Sequence, residues 1–132
     1  MRRVLPQVLT AFTALGLAIT GRPAFAHHSF AMYDSARIVT IDGTVKEFDW
    51  TNPHAQLWVV SGPNPSGVSD LWAIELPTSP GNLTRLGWTK HSLKPGDRVI
   101  VDINPLRDGN RGGSFKKATL VDTGQQLTAV LK

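Results

Sequence analysis

The 132-residue chain contains no cysteine. That absence removes disulfides, thiolate zinc sites, iron–sulfur clusters and cysteine nucleophiles from consideration. A bound metal would have to be held by histidine, carboxylate or backbone groups. Tyrosine occurs once, and charged residues make up only 18% of the chain. No apolar run is long enough to cross roughly 30 Å of hydrocarbon as a helix, so no transmembrane segment is expected. Also missing are a G-x-S-x-G elbow, a phosphate-cradling glycine loop and an H-E-x-x-H helix, so nothing points to a hydrolase or a nucleotide enzyme.

The chain opens with Arg2 and Arg3, continues as an apolar run from Val8 to Ile19, and reaches Ala24-Phe25-Ala26 after Gly21 and Pro23. This order of charge, apolar run and small residues is that of an export signal, with cleavage expected before His27. The paired arginines are compatible with the twin-arginine route. The expected division is a signal peptide over 1–26 and one domain over 27–132, in the periplasm or secreted. Loss of Arg2, Arg3 and Arg22 from the 14 basic residues leaves 11 against 10 acidic ones. The mature chain is then nearly neutral, and nucleic acid is not an expected partner.

Beyond the leader the chain is dominated by alternation. Val39, Ile41, Gly43 and Val45 share one face of a strand from Arg37 to Trp50, and the apolar phase then switches to Phe48 and Trp50. A bend or bulge is expected between Gly43 and Glu47, as in a strand shared by two sheets. Thr51 to His54 reads as a turn, and Ala55 to Val60 as the second strand. After the loop Ser61 to Gly67 comes a third strand, Leu71 to Leu76, with Trp72, Ile74 and Leu76 expected in the core. Ser79-Pro80 reads as an N-cap and first helical residue, with Gly87 closing a helix of about two turns. Leu93 to Asp97 is a tight turn. Arg98 to Ile103 is the fourth strand, Asn104 to Gly113 a loop, and Ser114 to Val121 the fifth strand. Gln125 to Leu131 adds an edge strand. Three strands, a short helix and two strands describe an all-β chain with one helix, a small OB-like five-stranded barrel. The alternative is another small β-barrel or sandwich.

The motifs His27-His28-Ser29-Phe30, Asn52-Pro53-His54, Ser79-Pro80-Gly81-Asn82-Leu83, Gly87-Trp88, Leu93-Lys94-Pro95-Gly96-Asp97 and Asn104-Pro105-Leu106-Arg107-Asp108-Gly109 run in that order. Together they resemble a domain-of-unknown-function family of exported bacterial proteins. The resemblance implies no activity, ligand or catalytic residue.

Cleavage before His27 would join a free α-amine and an imidazole on one residue, with His28 next to it. Nitrogen donors of this kind suit Cu(II). The arrangement looks like the histidine brace of copper proteins, with His54, or His91, as the second histidine; the metal candidates are His27, His28 and His54. Side chains adjacent on an extended chain point apart, so His27 and His28 need a turn between them to meet one ion. In an OB-like barrel the loops after the first and fourth strands flank the ligand face. Asn52 and His54 would then neighbour Arg107 and Arg111, with Lys116 and Lys117 adding to a basic patch suited to an anionic small molecule, glycan or lipid headgroup. Trp58, opposite in phase to Leu57 and Val59, is a surface candidate, as is Trp50; the ligand-binding candidates are Asn52, Trp58, Arg107 and Arg111. Glu47 and Asp49 share a face but fit a solvated edge. The expectation is a non-enzymatic periplasmic binding or accessory protein, with copper as the candidate cofactor. The alternatives are a metal-free module docking a periplasmic protein or anionic glycan through Arg107, Arg111 and Trp58, and a copper-dependent oxidoreductase.

Overall fold

The structure, a computed structural model, describes residues 30–130. The expected leader, its cleavage point, His27 and His28 lie outside the described residues.

Six strands and one α-helix follow in the order β1 (Val39–Asp49), β2 (Gln56–Ser61), β3 (Leu71–Glu75), α1 (Pro80–Arg85), β4 (Arg98–Pro105), β5 (Gly112–Leu120) and β6 (Gln126–Thr128). Neighbouring strands run β3-β2-β1-β4-β5-β6, and a parallel β3–β5 pairing joins the two sides of the sheet. Strands β1 to β5 therefore close into a five-stranded barrel, with the helix between β3 and β4: an OB-like fold.

The long first strand makes this closure possible. From Val39 to Thr44 it pairs with β4, and from Gly43 to Asp49 with β2. The register shifts between Val45 and Glu47, so Lys46 is an extra residue at the expected bend. A bulge sharpens local twist and lets one strand serve two sheet directions. It also explains the phase switch, since Ile41 and Val45 point inward before it and Phe48 packs inward after it.

Leu57, Val59, Ile74, Leu76, Val99, Val101, Ile103 and Phe115 fill the interior. Helix α1 adds buried Leu83, and the segment after it adds Trp88 and Leu93. The Ser79 hydroxyl accepts from the Asn82 N–H at 3.4 Å, and Gly87 follows the helix at φ +88°. That left-handed conformation is the one a C′ glycine supplies at least steric cost. Trp88 donates from Nε1 to the Thr128 carbonyl at 2.8 Å, tying the end of β6 to the barrel.

Two expectations need correction. Trp72 is half-buried rather than core, because the β3–β5 seam begins only at Ala73 and leaves Trp72 at the open rim, under the Arg111 guanidinium. The loop expected over Asn104 to Gly113 is shorter at both ends, since Asn104 and Pro105 continue β4 while Gly112 and Gly113 begin β5. The glycines read as loop formers because they lack side chains, but here that lack admits close packing. A Cβ on Gly113 would lie 2.5 Å from the Asn104 carbonyl oxygen and 2.6 Å from Ile103 Cδ1.

No helix among the described residues is long and apolar enough to cross a membrane.

Candidate functional site

Phe30 to Arg37, ahead of β1, forms a strap along the barrel rim. It begins with a 3₁₀ turn, Phe30–Met32, and is stitched to the end of β4 and the loop beyond. Tyr33 bridges to Leu106, the Asp34 N–H donates to the Pro105 carbonyl at 2.8 Å, and the Arg107 N–H donates to the Met32 carbonyl at 3.0 Å. The Arg107 side chain adds Nε–H to the Ala31 carbonyl at 3.1 Å and lies 3.8 Å from Asp34 Oδ1. Buried Asn104 anchors the strap's far end by donating from Nδ2 to the Arg37 carbonyl at 2.6 Å.

The strap carries Tyr33 and Phe30 to the β1–β2 turn. There the Tyr33 hydroxyl donates to Glu75 Oε2, and Glu75 Oε1 meets His54 Nδ1. An ionised carboxylate only accepts, so this contact selects, for the neutral imidazole, the tautomer with its proton on Nδ1 and a lone pair on Nε2. The His54 and Glu75 side chains are 28% and 19% exposed, enough cover to hold the pair while leaving the ring reachable. Phe30 is itself 57% exposed and its ring centroid lies 6.3 Å from that of His54. Burial is the main cause that pushes the Tyr33 phenol well above its usual range, and the hydrogen bond to Glu75 and its charge act the same way.

Of the expected site residues, His54 belongs to this cluster. Asn52 is exposed in the neighbouring turn, whose Asn52–Pro53 peptide is cis. Trp58 is half-buried on the outer face of β2, paired with Glu47 on β1 and Ala73 on β3. Asp49 and Glu75 occupy the next row of that face, either side of Gln56. Trp50 packs edge-on against Phe48 at 5.6 Å. Arg107 serves the strap. Arg111 lies 3.1 Å from Asp70 Oδ2 and 5.3 Å over the Trp72 ring, and Lys117 lies 3.4 Å from Asp102 Oδ2. Lys116 is exposed on β5, and His91 is exposed after the helix.

Among the described residues no three histidine or acidic side chains gather as a metal-binding group. His54 and Glu75 are a pair of such side chains in contact, so a metal held here would need donors from outside the described residues. Sequence reading missed Tyr33 and Glu75. The available signal was Glu75 itself, a carboxylate between the core residues Ile74 and Leu76, on the outward phase of β3 beside the turn that carries His54.

The fold and this histidine–carboxylate–tyrosine cluster define the class: an OB-like barrel whose rim is strapped by the segment ahead of β1. Residues 14–116 match the sequence profile of a family of unknown function, DUF6152, and the chain belongs to that family. A crystal structure of the mitochondrial single-stranded DNA-binding protein Rim1 from S. cerevisiae is similar in fold, with a TM-score of 0.51 and 15% identity, covering 64% of this chain and 93% of that one. At that identity the likeness is one of fold. Comparison with curated proteins gives no match.

Proposed function

We propose that the chain is a non-enzymatic binding or accessory protein of the bacterial cell envelope, exported, cut before His27, and binding Cu(II) through His27, His28 and His54. The α-amine and imidazole of His27 supply two nitrogens, and His54 Nε2 supplies another, a donor set suited to Cu(II). One observation carries the reading: Phe30, the first described residue, lies with its ring against that of His54. His28 and His27 precede Phe30 by two and three residues, so at most about 7 and 11 Å can separate their Cα atoms from that of Phe30. A common centre with His54 is within the chain's reach.

The metal-free alternative, docking a partner protein or anionic glycan through Arg107, Arg111 and Trp58, draws less support. Both guanidiniums already lie beside carboxylates, and Trp58 shares its face with Glu47, Asp49 and Glu75. Those charges repel an anion.

The test is Cu(II) titration of protein beginning at His27, beside a form with one extra N-terminal residue and a His54→Ala variant. Large affinity losses in both altered forms are expected, the first because the added residue takes away the α-amine of His27. Equal, weak binding by all three overturns the reading. So does mass spectrometry of envelope-derived protein that finds a first residue other than His27.

A further inference from the structure

We infer that Glu75 and Tyr33 are positioning residues for a metal ion at His54, fixing Nε2 as the donor atom and joining metal binding to seating of the strap. This rests on the Cu(II) reading above and deepens it.

A histidine that ligates a metal through one nitrogen commonly donates its other ring N–H to a carboxylate, which fixes tautomer and ring orientation and strengthens the donor. His54 has that arrangement, because Nδ1 is spent on Glu75 Oε1. His91, the other described histidine, has only a backbone contact from its own N–H to Thr89 Oγ1. The carboxylate is held in turn. Its second oxygen takes the Tyr33 hydroxyl, so rotating Glu75 away from His54 breaks two hydrogen bonds. Tyr33 lies on the strap, one residue from Met32 and Asp34, whose backbone groups bond to Arg107 and Pro105. The ring of His54, the carboxylate and the strap therefore move as one unit. By linkage, whatever binds better to His54 in this arrangement also favours the seated strap.

The experiment uses protein beginning at His27 and Cu(II) as the probe. Affinity is measured by chelator competition and ligation by electron paramagnetic resonance, in wild type, Glu75→Gln, Tyr33→Phe, His54→Ala and His91→Ala. Glu47→Gln removes an equal charge from the same outer face and serves as the electrostatic control. Glu75→Gln is expected to weaken Cu(II) binding about 10- to 100-fold and to change the nitrogen hyperfine pattern. Tyr33→Phe gives a smaller loss, and His91→Ala and Glu47→Gln leave both readouts as in wild type. Independently of any variant's folding, nitrogen-15 NMR of metal-free wild type is expected to show His54 protonated at Nδ1. If His54→Ala loses copper while Glu75→Gln keeps wild-type affinity and spectrum, or if His54 is protonated at Nε2, the positioning role is wrong and the copper reading survives. If His54→Ala binds like wild type, both fall.

Discussion

The Asn104 amide donates to the Arg37 carbonyl at 2.6 Å, from a residue that is 7% exposed. This bond fixes where the strap ends and β1 begins, and a weaker contact to the Ser35 carbonyl at 3.5 Å supports it. Asn104→Ala leaves the Arg37 carbonyl without this donor. A loss of about 1–3 kcal/mol is expected in denaturant unfolding, with faster proteolysis between residues 34 and 38. Wild-type stability and proteolysis would show that the strap is held elsewhere.

Trp88 makes the corresponding tie at the other end of the chain. Trp88→Phe keeps much of the ring packing against Phe115 and removes the Nε1 bond to Thr128. About 1–3 kcal/mol is expected. Amide exchange should accelerate over Gln126 to Thr128 more than over β1 or β4; a uniform acceleration would mean that β6 has no separate anchor.

Tyr33 gives a clean pH readout because it is the single tyrosine in the sequence. Its phenol is pushed up by burial first and then by Glu75. Tyrosinate absorbance of the folded protein is therefore expected to stay flat where an exposed phenol titrates, near pH ~10. Below that pH the folded and unfolded chains both keep the proton, and the phenol's stabilising contribution is fully present. Above it the unfolded chain releases the proton first, so stability falls as pH rises. Tyr33→Phe is expected to flatten this part of the stability–pH curve. An absorbance rise near pH ~10 in folded protein would contradict the burial of Tyr33 together with its contact to Glu75.

Gly113→Ala tests the barrel seam. The added methyl would meet the Asn104 backbone and Ile103 Cδ1, whereas a methyl on Gly62 meets nothing within 4 Å. Gly113→Ala is expected to cost about 1–3 kcal/mol in thermal or denaturant unfolding, and Gly62→Ala far less. Equal effects would show that the seam yields.

Local signals carried the barrel. The alternation of Val99, Val101 and Ile103, the phase switch between Val45 and Phe48, and the Ser79-Pro80 cap are decided within a few residues, and the elements they predict are present. What escaped depends on distant partners. Tyr33 and Glu75 are 42 residues apart, and Asn104 and Arg37 are 67 apart, so no period or turn code announces either pair. Trp72 had the right phase for the core, but its cover depends on where β5 joins β3. Gly112 and Gly113 looked like loop because a close backbone approach and a flexible turn ask for the same residue. His54 was legible as a candidate from its place after Asn52-Pro53. The carboxylate that orients it was not.

The turn from Leu106 to Arg111 is bonded on two sides. Leu106 bridges to Tyr33 and its N–H donates to the Gly112 carbonyl at 3.0 Å, while the Arg111 carbonyl accepts from the Ala73 N–H at 3.1 Å. Buckle and zipper thus hang from the same few peptide units. Loosening of the leading segment is therefore expected to show as faster hydrogen exchange at Ala73 and Leu106, on the line where the cylinder shuts.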